Sequence, residues 1–151
     1  MNGAGTMSKT HAHDGFAFAF PATEIGTRTG IARIMGTLDD ALLCQEQNSD
    51  IEIALTEALN NVVEHAYAGM PTGEIRVSGR RAHGTLSVTI RDAGHSLPGD
   101  ALPEGRVVET DMPRMDLPEG GFGWFLIHQL ARDVSYMRRN DENILSLAFD
   151  I

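Results

Sequence analysis

The 151-residue sequence predicts an α+β domain in which helices cover one face of a mostly antiparallel mixed sheet. Runs with strand alternation are interrupted by runs with helical periodicity. Neighbouring strands are joined by short turns, as hairpins rather than crossovers. Hydrophobic residues make up 42% of the chain with no obvious linker, which fits one core burying about two-thirds of the unfolded surface.

Residues 1–14 are rich in Gly, Ser, Thr and His without a period that buries a face, and are expected to form a flexible tail ahead of a domain over 15–151. His11 and His13 there have the chemistry of metal ligands, but solvated tail residues are their ordinary reading. Phe16, Phe18 and Phe20 alternate with Ala17 and Ala19, which predicts a strand with one aromatic face, stopped by Pro21. From Glu24 to Cys44, Ile31, Ile34, Met35, Leu38 and Leu42 recur at three- and four-residue spacing, so a helix is expected, with Asp39 and Asp40 facing outward.

Ser49 and Glu52 form a capping box for a second helix that runs to about Tyr67 and is closed by Gly69 and Pro71. Ile75 and Val77, then Leu86, Val88 and Ile90, alternate on either side of 80–84 and predict an antiparallel hairpin. The stretch from Ala93 to Glu119 shows no period, a length that marks a functional loop and predicts a lid. Gly120-Gly121-Phe122-Gly123 then opens a short helix through Trp124, Phe125, Ile127, Leu130 and Ala131, ending near Asp133. Val134 to Arg139 and Ile144 to Phe149 flank the turn-forming cluster Asn140-Asp141-Glu142-Asn143 and make a terminal hairpin.

A formal net charge of −9, from 21 acidic against 12 basic residues, disfavours attraction to nucleic acid or anionic lipid and makes a basic protein surface the better partner. The single cysteine, Cys44, excludes an intramolecular disulfide, and its place in an apolar pattern predicts a buried or half-buried thiol. No apolar run reaches the roughly 18 residues of a membrane span and no secretory leader pattern is present, so a cytoplasmic location is expected.

Chemistry concentrates in three places. Glu57 and Asn61, four residues apart, project from one helix face, where a carboxylate and a neutral amide can share a metal-bound polyphosphate. Two adjacent asparagines, Asn60 and Asn61, cost a helix interior roughly 0.5 kcal/mol each against Ala. Taken alone, Glu57, Asn61 and Glu64 read as the solvated face opposite an apolar stripe of Ile51, Leu55, Ala58, Leu59, Val62 and Ala66.

Gly121 and Gly123 at a helix mouth let backbone amides approach a phosphate, although such glycines more often mark only a tight loop. Asp92 follows an alternating strand and precedes Ala93-Gly94, where a carboxylate accepts from an exocyclic amine and glycine admits a flat ring; a strand-end turn residue is its bland role.

Glu57-x3-Asn61-x3-His65-Ala66-Tyr67 on a helix, Arg91-Asp92-x-Gly94 after a strand and Gly121-x-Gly123 at a helix start together resemble the anti-sigma-factor serine/threonine kinases of bacterial partner-switching systems. These belong to the GHKL superfamily of histidine-kinase-like ATPases. The resemblance covers roughly 16–151 and implies a two-layer α/β sandwich of the Bergerat type with an ATP lid. It implies that Glu57 is the general base on a protein hydroxyl, that Asn61 binds Mg²⁺, and that Asp92 reads the adenine amino group. Gly94 then lines the base pocket, and Gly121, Phe122 and Gly123 belong to the phosphate loop beneath the lid.

His65 reads as structural rather than catalytic. Arg106 and Arg114 have the charge to neutralise phosphate, but solvated arginines are their ordinary reading. The resemblance further implies ATP as phosphoryl donor, an anti-anti-sigma (STAS-type) partner that is phosphorylated, a sigma factor that is sequestered, and a homodimer.

Two positions depart from the pattern. Gly94-His95-Ser96 lacks a second glycine two places on, and a positive φ at Ser96 would cost roughly 1 kcal/mol or more. Trp124 stands where leucine is common, so a bulkier or stacking pocket floor is expected. The altered loop motivates an alternative, a non-catalytic ATP-binding module that holds a protein partner. A third reading is a metal-dependent hydrolase on Glu57, His65, Asp92 and His95, whose dispersed spacing disfavours it.

Overall fold

The structure, a computed structural model, describes residues 15–39, 43–103 and 121–151, and the side chains of all of these but 121 and 122. The tail expected at 1–14, and with it His11 and His13, lies outside the described residues. So do Asp40, Leu42, Arg106, Arg114, Gly120 and most of the stretch expected to form the lid.

Five strands form one sheet: β1 (Gly15–Pro21), β2 (Glu74–Ala82), β3 (Thr85–Asp92), β4 (Asp133–Arg139) and β5 (Glu142–Asp150), in the spatial order β1-β2-β3-β5-β4. Every neighbouring pair is antiparallel, so the mixed sheet expected from the sequence carries no parallel pair among the described residues. Among the described residues three α-helices accompany it: α1 (Glu24–Leu38), α2 (Gln45–Asn61) and α3 (Gly121–Leu130).

Alternation sets the layering. Phe20, Ile75, Val77, Leu86, Val88, Ile90, Leu145, Leu147 and Phe149 project from one sheet face into the core, where they join Ile34, Leu38, Ile51, Leu55, Leu59 and Ile127 of the helices. Each such side chain contributes about 1.5–3 kcal/mol on burial. Ala17, Ala19, Arg76, Ser78, Ser87 and Arg91, one position out of step, are exposed on the other face.

The aromatic face of β1 is fitted to α1. A Cβ at Gly30 would strike the Phe20 ring, so this glycine permits close helix–strand approach. The Arg33 guanidinium lies 4.4 Å over the Phe18 ring centroid.

Both hairpins turn more tightly than the sequence suggests. β2 and β3 extend to Ala82 and Thr85, leaving His83 and Gly84 as a two-residue turn with φ of 54° and 73°. β4 and β5 are joined by Asn140 and Asp141 alone, with φ of 53° and 62°. Two consecutive left-handed residues match the twist of the flanking strands. The expected four-residue cluster 140–143 is therefore half strand.

Helix boundaries also differ. α1 stops at Leu38 rather than at Cys44, and Cys44 is instead the extended N-cap of α2. Its Sγ accepts from Gln47 N–H at 3.4 Å while Gln47 Oε1 accepts from Cys44 N–H at 3.0 Å, a reciprocal cap that displaces the Ser49–Glu52 box into the helix interior. The thiol is consequently exposed, not buried.

Candidate nucleotide and phosphate site

Ile51, Ala54, Leu55, Ala58 and Leu59 anchor α2 in the core, which fixes Glu57 and Asn61 on its flank. That flank is not open solvent, because the first turn of α3 closes over it. A Cβ at Gly123 would lie 2.9 Å from Glu57 Oε2 and 3.9 Å from Asn61 Oδ1, so the lack of a side chain there creates a small cradle faced by both polar groups.

Burial is the larger cause raising the Glu57 carboxyl above its ordinary 4.5, with the Glu64 charge adding to it. Asn61 Nδ2 is buried and makes no hydrogen bond among the described residues. A buried donor left so costs about 1–3 kcal/mol, a cost expected where a ligand completes the site. The α2 flank thus offers a carboxylate base, a neutral hard-oxygen donor and an amide donor around Gly123, where α3 presents no side chain.

The second half of the site sits one turn beyond the C-terminal end of the same helix. After Asn61 the chain makes one turn of π-helix, Val62–Ala66. The Ala66 carbonyl, orphaned at the helix end, accepts the His95 N–H at 2.6 Å. Gly94 packs directly on that carbonyl, and a Cβ there would lie 2.6 Å from the Ala66 carbonyl carbon.

Tyr67 completes the joint. Its hydroxyl donates to Glu74 O at 3.0 Å and accepts from Ala93 N–H at 2.9 Å. Gly94 is therefore required by close approach rather than by φ. Neither it nor Ser96 has a positive φ, so the strain expected at Ser96 is absent.

Asp92 closes β3 and is 5% exposed. Its Oδ1 accepts from Gly94 N–H at 2.9 Å and from Asn143 Nδ2 at 2.8 Å. Burial raises its pKa above the ordinary 3.8; the Asn143 and Gly94 hydrogen bonds and the Arg138 charge oppose the rise. A buried carboxylate beside a glycine loop can accept from a flat ring's amino group.

Asn143, Tyr136 and Arg138, which hold this carboxylate, were not singled out from the sequence. The turn-forming cluster 140–143 includes Asn143, yet this residue shares the parity of the buried Leu145, Leu147 and Phe149, and a polar residue at an inward position is the available signal.

The other candidates separate. Trp124 is 5% exposed in the core beside His128, rather than lining a pocket floor. The backbone of 121 and 122 begins α3, while the Phe122 side chain lies outside the described residues. His65 Nε2 lies 3.8 Å from Glu64, and His95 Nε2 bonds the Ala68 carbonyl at 3.1 Å. Among the described residues no three His, Cys, Asp or Glu side chains gather as metal ligands, which removes the geometry the hydrolase reading requires.

A model of the histidine kinase-like ATPase domain matches residues 20–149. The serine-protein kinase RsbW of Oceanobacillus iheyensis is 33% identical over 109 residues, 72% of this chain and 65% of that one. The same-named protein of Halalkalibacterium halodurans is 34% identical over 123 residues, 80% of this chain and 70% of that one. The chain thus spans about two-thirds of the length of these relatives.

Two solved structures share the fold. The RsbU and RsbW domains of a Mycobacterium tuberculosis protein superpose with a TM-score of 0.63 at 20% identity, over 90% of this chain and 32% of that one. The SiaB–SiaC complex of Pseudomonas aeruginosa superposes with a TM-score of 0.58 at 15% identity, over 98% of this chain and 96% of that one.

Proposed function

The chain belongs to the family of histidine kinase-like ATPase domains, and from that premise we propose that residues 15–151 form a serine/threonine protein kinase of a partner-switching system. It takes its phosphoryl group from ATP and passes it to a hydroxyl on an anti-anti-sigma partner of the STAS type. While that partner is phosphorylated or absent, the kinase sequesters a sigma factor. Its relatives named serine-protein kinase RsbW support the reaction class. The observation that carries the reading is the attachment of both half-sites to one helical segment, with Gly123 against Glu57 and Asn61 in the last turns of α2 and the Asp92 loop docked on Ala66 at the end of the π-turn that follows.

The π-helical turn Val62–Ala66, which follows α2 directly, separates the base-reading half from the phosphate half. In the proposed mechanism Asp92 accepts the adenine amino group, and Gly94 keeps the adjoining wall free of side chain. Gly121, Phe122 and Gly123 contribute the backbone of the α3 start, where amides and helix dipole favour phosphate.

Glu57 orients the substrate hydroxyl and takes its proton as the oxygen bonds the γ-phosphorus and the bond to the β–γ bridging oxygen breaks, releasing ADP. Its raised pKa makes it a stronger base than an ordinary carboxylate. Asn61 Oδ1 is the residue that would hold Mg²⁺, which when bound supplies charge neutralisation on the phosphates. Positioning by α2 provides the larger share of the rate, because phosphoryl transfer asks little covalent work of the protein.

A homodimer and a cytoplasmic location complete the proposal. Among the described residues no helix is long and apolar enough to cross a membrane. The altered loop Gly94-His95-Ser96, which motivated a non-catalytic module, meets no left-handed strain and is tied down by His95, so it supplies no reason to favour that alternative. Incubation with labelled ATP and a STAS-type partner tests the proposal. Transfer to the partner that is lost in Glu57→Ala supports it, whereas tight ATP binding with no transfer to any such partner would leave the module as the better reading.

A further inference from the structure

Asn143 uses its whole side-chain amide inside the protein. Nδ2 donates to Asp92 Oδ1 and to the His95 carbonyl, each at 2.8 Å. Oδ1 accepts from the Tyr136 hydroxyl at 2.5 Å and from Arg138 Nη1 at 3.1 Å. A primary amide has nearly the same shape when turned over, so its direction is set by its neighbours.

Here two donors converge on one end and two acceptors on the other. Turned over, the amide would point its NH₂ at the Arg138 guanidinium, which has no acceptor, and its oxygen at a carboxylate and a carbonyl. Tyr136 is itself held, since its hydroxyl oxygen accepts the Leu97 N–H at 3.1 Å. Arg138 Nη1 also donates to the Gly94 carbonyl at 2.6 Å, so the same guanidinium fixes the loop beside Asp92.

The direction of the amide has a chemical consequence. Gly94 N–H and Asn143 Nδ2 both donate to Oδ1, so the hydrogen bonds that hold the Asp92 carboxyl come from donors. An environment of donors favours the form of the carboxyl that only accepts. A carboxyl so held pairs with a ring bearing an amino group and repels one bearing a carbonyl at that place.

We propose that Tyr136 and Arg138 are positioning residues for base selectivity, acting through Asn143 to hold Asp92 as an acceptor and so favour a 6-amino purine over a 6-keto purine. Neither touches the nucleotide. The inference rests on the reading of Asp92 as the base-binding group, and it assigns the selectivity of that group to the terminal hairpin.

The test is calorimetric titration of the full chain with Mg-ATP and with Mg-inosine triphosphate, which carries a 6-keto group and an N1–H where ATP carries a 6-amino group and a bare N1. Wild type, Tyr136→Phe and the Tyr136→Phe/Arg138→Met double variant are compared, with thermal unfolding as the check on folding. Wild type is expected to favour ATP. The double variant is expected to reduce the ratio of the two affinities by about tenfold or more, and Tyr136→Phe by about threefold.

Equal weakening of both nucleotides, with the ratio intact, would reduce the pair to a structural role and overturn the inference alone. If the double variant does not fold, Tyr136→Phe decides, and a wild-type ratio in it overturns the inference. Wild type that binds neither nucleotide, or both equally, would overturn the base-reading role of Asp92 and the parent proposal with it.

Discussion

The His95 N–H donates to the Ala66 carbonyl at 2.6 Å, and through that contact the loop leaving β3 caps the helix that carries Glu57 and Asn61. One hydrogen bond thus joins two segments nearly thirty positions apart in the chain. It also explains Gly94, whose missing side chain allows the loop to lie on the helix end.

Gly94→Ala is therefore expected to be severe. A methyl group would press on backbone of Ala66, which cannot rotate away, so the loop must lift. A loss of about 2 kcal/mol in urea unfolding is expected, together with loss of nucleotide binding. A variant as stable as wild type would show that the loop does not depend on this approach.

Glu57→Ala should separate binding from chemistry. Removing a general base costs about 10²- to 10⁴-fold in rate, whereas ATP affinity should stay near wild type because the base contacts the incoming hydroxyl rather than the nucleotide. Single-turnover transfer of labelled phosphate, paired with calorimetry, checks both halves.

Asp92 predicts two pH trends of opposite sign. Its folded pKa is raised by burial above 3.8, so its contribution to stability is fully present below the unfolded value and is lost as pH rises through the folded one. Asp92→Asn keeps an acceptor but no charge, and its stability relative to wild type should increase as pH rises from the ordinary carboxylate value through the raised folded pKa of Asp92. Wild-type ATP affinity should strengthen over the same window as the acceptor ionises. Parallel urea melts and titrations across that range measure both, and identical stability profiles for the two proteins would contradict the first trend.

The β4–β5 turn offers a stabilising change. Asp141 holds φ at 62°, a conformation that favours glycine, and it follows Asn140 in the first turn position. Asp141→Gly creates the Asn-Gly pair preferred in such turns and should stabilise by about 0.5 kcal/mol, after the extra freedom of glycine in the unfolded chain is offset. Chemical denaturation with an unchanged m-value is the measurement.

Strand alternation and helical spacing were enough to read the five strands and three α-helices among the described residues, because each element must hide one face and the period of that face is written locally. The phenylalanines of β1, the Ile51–Val62 stripe of α2 and the alternation in β2, β3 and β5 all appear where their period places them. Glu57, Asn61, Asp92 and Gly94 were legible for a related reason: their spacing is itself a local pattern.

Endings were less legible. The Cys44–Gln47 cap was hidden by a more familiar Ser49–Glu52 pattern, and the two-residue turns were masked by longer polar clusters.

Local pattern in the chain specifies the elements, their buried faces and the residue types available for chemistry. Tertiary structure alone decided that Gly123 faces Glu57 and Asn61, that Ala66 receives the Asp92 loop, and that Asn143 lies inside against Asp92. The physical reason is range. Periodicity reports what a residue does relative to the next few positions. Hydrogen bonds to a buried carboxylate depend on the β3–β5 register, which pairs Asp92 with Asn143 across 51 positions and leaves no trace in either neighbourhood.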